Sequence, residues 1–368
     1  MKENKPMYRQ VVVKIGTNVL TDEDGYLNSD QLYHLVEQIA ELKKEGTDVI
    51  LISSGAFAAG KNVLQTHANH DPISRRQLWS SLGQVTLINT YDKYFKQHNL
   101  LCSQILVTKS DFRDRQHYLN MQNCISVLLK ENVIPIINEN DATSITELMF
   151  TDNDELAGLI ASMMDFEALM ILSNIDGLYT GNPADSQSKI IPRVDSKTES
   201  MRNYISPQRS NFGRGGMITK ANFAKKTANS GVTVYIANGL RKNIITDILH
   251  DDTKIPNTKF VAGKRKSNVK KWIAHSAGFE KGTVYINQGA KQALQSSHAT
   301  SLLLVGIIKI QGDFKKGDII QIKEENGSFV GLGRSQYDAS VAMQNIGREN
   351  CKPLIHYDYL YLEESLEQ

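Results

Sequence analysis

Six short runs constrain this chain most: "QVVVKI" (Gln10–Ile15), "DVILIS" (Asp48–Ser53), "SQILVT" (Ser103–Thr108), "NVIPII" (Asn132–Ile137), "ALMIL" (Ala168–Leu172) and "TVYIAN" (Thr233–Asn238). Most of them are continuously apolar and rich in β-branched residues. A strand of that kind has no face for water and must be covered on both sides. Helical patterns lie between several of them. In "NSDQLYHLVEQIAELKKEG", Leu32, Leu35, Val36, Ile39 and Leu42 recur at helical spacing, with Asn28 or Ser29 as the cap and Gly46 at the end. "DELAGLIASMM" (Asp154–Met164) is another. The alternation predicts an α/β fold: an open, mostly parallel sheet sandwiched by helices.

In such sheets ligands bind beyond the carboxyl ends of the strands. Lys14 and Gly16 stand at the end of the first run, Ser54-Gly55-Ala56 after the second, Asn138-Glu139-Asn140-Asp141 after "NVIPII", and Ser173-Asn174 after "ALMIL". One sheet edge therefore gathers most of the candidate chemistry. From about Asp251 the character changes. "HDDTKIPNTKFVAGKRKSNVKKW" is polar and basic, and short β-like pieces follow ("GTVYIN", "SLLLVGIIKIQG", "DIIQIKEENGSFVGLG"). Asn-Gly in "EENGSF" signals a hairpin. The expected division is 1–262 for the α/β unit, 263–274 for a linker and 275–368 for a small β-barrel.

Composition excludes some classes. The 368 residues carry a net charge of +2, which gives no global argument for nucleic acid. Cys102, Cys124 and Cys351 lack pair spacing, which argues against a disulfide scaffold or zinc ribbon and fits a cytoplasmic, reducing compartment. No apolar run has the length of a membrane span, and none at the N-terminus reads as a signal peptide, so no membrane partner is expected. His67 and His70 form the one close histidine pair, with no further ligand cluster nearby, and no metal site built from protein side chains is expected.

The cationic residues are more pointed. "GRGGMITKANFA" places Arg214, Gly215, Gly216, Met217, Ile218, Thr219 and Lys220 at the start of a helical pattern. It is not the P-loop order, because the hydroxyl precedes the lysine. A glycine turn into a helix N-terminus offers free N–H groups and the positive end of the dipole to an anion, or is a plain loop. Lys14 lies inside an apolar strand, which is costly unless the ammonium faces an anion or reaches water. Two lysines converging beside glycine turns suit phosphoryl transfer, whose transition state spreads negative charge. In "FTDNDELAG", Asp152, Asn153 and Asp154 precede a helix; one would suffice as cap, leaving others for a ligand or for the lysines.

The ordered set "VVVKIGTNVL", "LISSGAFAAG", "VIPIINENDA", "TDNDELAG" and "GRGGMITKANFA" resembles the amino-acid kinase family, and "KWIAHSAGFEKGTVYINQGAKQAL" resembles the start of a PUA domain. The particular likeness is to members that phosphorylate the γ-carboxylate of L-glutamate with ATP, the first step of proline biosynthesis. The resemblance implies that Lys14 and Lys220 flank the transferring group, with Asp154 orienting them. It implies that Ser54, Asn138, Asp141, Asp152 and Asn153 hold glutamate. Lys14, Ser173, Asn174 and the turn from Arg214 to Lys220 would line the ATP site, with Mg²⁺ bridging the phosphates. It further implies a homo-oligomer, proline as feedback inhibitor, functional coupling to glutamyl phosphate reductase, and RNA as the ligand class that a PUA-like domain raises. Two departures bear on nucleotide affinity: Ser173-Asn174 where the family commonly reads Thr-Asp, and Arg214 where threonine is usual. The competing readings are another carboxylate or nucleoside monophosphate kinase of the family, and an RNA-binding protein on a degenerate kinase scaffold.

Overall fold

The computed structural model describes residues 5–64, 70–112, 114–143, 150, 152–195, 217–265, 267–275, 280–296 and 300–362. The chain divides into two compact units, Met1–Arg265 and Lys266–Gln368.

The first unit opens with β1 (Gln10–Ile15), the short α1 (Thr17–Leu20) and α2 (Ser29–Lys44). Next come β2 (Asp48–Ser53), α3 (Ala56–Val63), α4 (Pro72–Gln97) and β3 (Leu101–Val107). α5 (Arg115–Lys130), β4 (Val133–Glu139), α6 (Asn153–Met164) and β5 (Ala168–Ser173) follow. The unit closes with β6 (Arg193–Val194), α7 (Met217–Asn229), β7 (Thr233–Asn238), α8 (Ile244–His250) and β8 (Asn257–Phe260). One eight-stranded sheet runs in the order β3-β4-β2-β1-β5-β7-β8-β6. All neighbours pair parallel except β7 and β8. The apolar runs explain this: every residue of β1, β2 and β5 but one end residue each is buried, as parallel strands covered by helices require. The antiparallel β7–β8 edge was not legible, because "NTKF" is short and polar.

β1 has β2 on one side and β5 on the other, so the chain leaves it in opposite directions at the switch point where such folds bind ligands. Lys14 stands opposite Ile52 and Ile171 in register. Local signals hold: the Asn28 side chain accepts the Gln31 N–H at the start of α2, and Gly46 ends that helix at φ +86°.

α3 and α4 cross at backbone contact. A Cβ on Gly83 would lie 1.7 Å from the Ala56 carbonyl oxygen, and one on Gly60 would lie 1.8 Å from that of Trp79. Since Ala56 directly follows Ser54-Gly55, this crossing fixes where the end of β2 points. Gly to Ala inside a helix normally stabilises by up to about 1 kcal/mol. Here Gly83→Ala is expected to destabilise by about 3 kcal/mol through overpacking, lowering the calorimetric melting temperature of the full chain by several degrees. A melting temperature at or above wild type would show that the helices part freely.

The second unit contains α9 (Asn268–His275), β9 (Gly282–Ile286), α10 (Gln288–Gln295), β10 (Ile307–Gly312), β11 (Ile319–Glu324), β12 (Phe329–Arg334), α11 (Ala339–Gln344) and β13 (Leu360–Leu362). Among the described residues, five strands form one mixed sheet in the order β10-β9-β11-β12-β13. The expected hairpin is present: β11 and β12 pair antiparallel, and Gly327 takes φ +89° between them. Its core is built on Val284, Phe314, Ile320, Ile322, Leu354 and Ile355. α9 occupies most of the stretch 263–274, where a linker was expected from composition.

Candidate active site

The centre of the site is a carboxylate between two ammonium groups. Asp154 is 0% exposed. Its Oδ1 lies 2.6 Å from Lys14 Nζ, and its Oδ2 accepts a hydrogen bond from Lys220 Nζ. Both lysines are buried, at 5% and 9% exposure. They reach the carboxylate from separate elements, Lys14 from near the end of β1 and Lys220 from the first turn of α7, while Asp154 lies in the first turn of α6. Burial would raise the Asp154 carboxyl, but the charges of Lys14 and then Lys220, with their hydrogen bonds, outweigh it and hold it at about 2. Burial pulls the Lys14 ammonium below its usual range, with Asp154 opposing.

The run of acidic and amide residues before α6 divides its labour. Asp152 caps the helix, its Oδ1 accepting the N–H of Asp154 at 2.7 Å and of Glu155 at 3.3 Å. Burial, then the charge of Asp154, pushes the Asp152 carboxyl up. Asn153 Nδ2 bridges two strand ends, donating to Ser54 Oγ at 3.0 Å and to Asn138 Oδ1 at 2.9 Å. Ser54, Asn138 and Asn153 thus meet beside the lysine pair. Gly16 allows the close passage of β1 against β5: its N–H donates to the Leu172 carbonyl at 3.1 Å, and a Cβ there would stand 3.5 Å from Lys14 Nζ. Gly55 takes φ +99°, and α3 starts behind it with no side-chain hydrogen bond to its cap among the described residues.

The distance between α6 and α7 is set by another glycine. A Cβ on Gly158 would fall 2.3 Å from Thr227 Oγ1. Gly158→Ala should therefore push α7, and Lys220 with it, away from Asp154. A displacement on the order of 1 Å can cost about 10²-fold in rate, so kcat should fall at least roughly tenfold. Removing the hydroxyl in Gly158→Ala/Thr227→Ala should recover most of it. An equal loss in both variants would contradict this reading.

At the other side, Ser173 Oγ donates to Asn174 Oδ1 at 3.5 Å, and the Gly239 N–H donates to the Ser173 carbonyl at 2.7 Å. Arg241 grips Asp176 with two bonds of 2.8 Å, and Asn238 Nδ2 adds one of 3.0 Å. These bonds, that of Arg241 first, hold the Asp176 carboxyl below its usual range. Met217, Ile218, Thr219 and Lys220 form the first turn of α7. Arg214, Gly215 and Gly216 lie outside the described residues, as does His67.

Asp141 pairs with Arg76 of α4, whose Nε donates to its Oδ1 at 2.9 Å and whose Nη2 lies 2.8 Å from the same oxygen. Sequence reasoning passed over Arg76, because "SRRQ" in a polar helix start reads as solvated. It also passed over the 2.7 Å pair of Lys109 and Glu155, and the Asp176–Arg241 clasp. Two buried cations on one carboxylate, beside strand-end hydroxyl and amide groups, can neutralise an anion that gains charge during a reaction.

Residues 9–238 match the amino acid kinase family, and residues 282–356 match the PUA domain. A glutamate 5-kinase of Bacteroides thetaiotaomicron is 48% identical over 360 residues, 98% of this chain and 100% of that protein. Another, of Chlorobaculum tepidum, is 49% identical over 366 residues, 98% of this chain and 99% of that protein. Among solved structures, the substrate complex of an isopentenyl phosphate kinase aligns with a TM-score of 0.51 at 14% identity, covering 69% of this chain and 100% of that one. That likeness is one of fold alone.

Proposed function

The chain belongs to the amino acid kinase family, among its glutamate 5-kinases, and from that premise we propose that it transfers the γ-phosphoryl group of ATP to the γ-carboxylate of L-glutamate. The product is γ-glutamyl phosphate, the first intermediate toward proline. The observation that carries this reading is the Lys14–Asp154–Lys220 cluster at the strand ends.

The γ-carboxylate is ionised at neutral pH, so its oxygen attacks phosphorus without a strong base, and the bond from the γ-phosphorus to the bridging oxygen breaks as ADP leaves. Catalysis then rests on position and charge. Lys14 and Lys220 stabilise the oxygens of the transferring group, and Asp154 keeps both ammoniums aimed at it. Mg²⁺ arrives with the nucleotide as part of the substrate. Ser54, Asn138, Asp141, Asp152 and Asn153 hold glutamate. Ser173, Asn174 and the turn from Arg214 to Lys220 line the nucleotide side.

On the same footing we expect a homo-oligomer, feedback by proline and functional coupling to a glutamyl phosphate reductase. The edge strand β3, with Leu101 and Leu106 exposed, supports the first of these. A cytoplasmic location is supported by three free cysteines. An RNA-binding role on a degenerate scaffold is disfavoured by the intact cluster. ADP release from the purified chain tests the function: it should require L-glutamate, with N-acetylglutamate and nucleoside monophosphates failing to replace it. ADP release indifferent to glutamate would refute the assignment.

A further inference from the structure

β5 and β7 end side by side, with Ser173 opposite Asn238 in register. Beyond that point the two chains are laced together. The Gly239 N–H donates to the Ser173 carbonyl at 2.7 Å, and Asn238 Nδ2 donates to Asp176 Oδ1 at 3.0 Å. Arg241 meets Asp176 side-on, Nε to Oδ1 and Nη2 to Oδ2, each at 2.8 Å. With one nitrogen for each oxygen, a guanidinium fixes both the place and the plane of a carboxylate. The lacing has a firm footing. The Gln31 side chain of α2 donates to the Gly239 carbonyl at 2.7 Å, and a Cβ on Gly239 would lie 2.7 Å from Val19 Cγ1 of α1. Just past Asp176, the Leu178 N–H donates to Thr258 Oγ1 of β8 at 2.8 Å. Ser173–Asp176 is thus a short arch tied down at both ends, with Asn174 exposed between the ties. The side chains of Arg241 and Asp176 are 41% and 21% exposed, so their pairing adds little to the stability of the whole unit. Its effect is local and falls on the shape of the arch.

We propose that Arg241 is a positioning residue for the nucleotide: by clasping Asp176 it holds the arch Ser173–Asp176 in the form that ATP meets. This rests on the functional reading above, in which Ser173 and Asn174 line the nucleotide side. Arg241 acts through Asp176 and not on the transferring group. Its loss therefore weakens nucleotide binding in the ground state and the transition state alike, and leaves the transfer step itself unchanged.

The test pairs steady-state kinetics of the full chain with calorimetric titration of ADP in the absence of glutamate. Arg241→Gln should raise KM for ATP and Kd for ADP about three- to tenfold, leave KM for glutamate within about twofold, and change kcat at saturating ATP little. Its melting temperature should stay within about 2 °C of wild type. Arg241→Lys, which keeps the charge but not the fork, should recover part of the loss. Combined with Asp176→Asn, Arg241→Gln should add little to the effect of Asp176→Asn alone, because both act on one interaction. Should Asp176→Asn fail to fold, the two Arg241 variants still decide. Wild-type ADP affinity in Arg241→Gln, equal rises in KM for ATP and glutamate, a lower melting temperature with unchanged KM for ATP, or additive effects with Asp176→Asn would overturn the role of Arg241 alone. A wild-type chain that binds ADP but turns over ATP without regard to glutamate would overturn the functional reading, while the ADP titrations of the variants would still decide the clasp.

Discussion

Lys220→Ala should lose about 10²–10³-fold in kcat, the range seen when a preorganised donor to a developing oxyanion is removed. KM for glutamate should change little, because the lysine serves charge that grows in the transition state. The fold should survive. Lys220 and Lys14 share the single carboxylate of Asp154, so removing one ammonium leaves a one-to-one pair with Lys14 at 2.6 Å. Circular dichroism and the melting temperature should therefore stay near wild type. A folded variant with near-normal kcat would remove Lys220 from the chemistry and leave it a structural partner of α6.

Asp154→Asn should be worse for the protein than Lys220→Ala, although the change in shape is smaller. Asparagine fits the same space but removes the carboxylate that both buried ammonium groups contact, leaving Asp152 as the acidic group beside them. Breaking a buried pair by removing one partner costs about 3–5 kcal/mol, which for a unit of this size is roughly a 10 °C fall in melting temperature. Activity should fall with it, because the lysines lose their common anchor. The pH dependence gives a separate reading. The Asp154 carboxyl is held at about 2, below the range it has in the unfolded chain. Its stabilisation is then fully present above about pH 4 and is lost as pH falls toward 2. The stability gap between wild type and Asp154→Asn should be constant from neutral pH to about pH 5 and close below pH 4. Asp152, raised by burial and then by Asp154, takes up its proton earlier in the same descent in the wild type. A gap unchanged down to pH 2 would mean that the carboxylate is not what the lysines stabilise.

The sheet was legible because its central strands have no polar alternation to hide. Gln10–Ile15, Asp48–Ser53 and Thr233–Asn238 begin and end where the apolar runs do. Lys14 was legible for the opposite reason, as the one charge inside such a run. What could not be read was direction. "DND" presents three equivalent short polar residues, and only the helix geometry turns Asp152 to the backbone, Asn153 to the strand ends and Asp154 inward. α4 is long and mostly polar, with buried positions such as Gly83 and Tyr91 that a hydrophobic period does not reveal. Arg76 was lost for that reason: its partner Asp141 lies 65 residues away in sequence, in a turn that only the fold brings near. The helices of the second unit were likewise obscured, since "SNVKKW" reads as a charged linker until Trp272 and Ile273 are seen buried.

The central claim is that the γ-carboxylate of glutamate receives the phosphoryl group. An acyl phosphate is open to attack by hydroxylamine, which forms a hydroxamate at the acyl carbon and expels inorganic phosphate. The purified chain with ATP, Mg²⁺, L-glutamate and hydroxylamine should therefore yield γ-glutamyl hydroxamate and ADP in equal amounts. Both should be absent without glutamate and lost by at least about 10² in Lys220→Ala. ADP formation without hydroxamate, or hydroxamate at the α-carboxyl, would contradict the account.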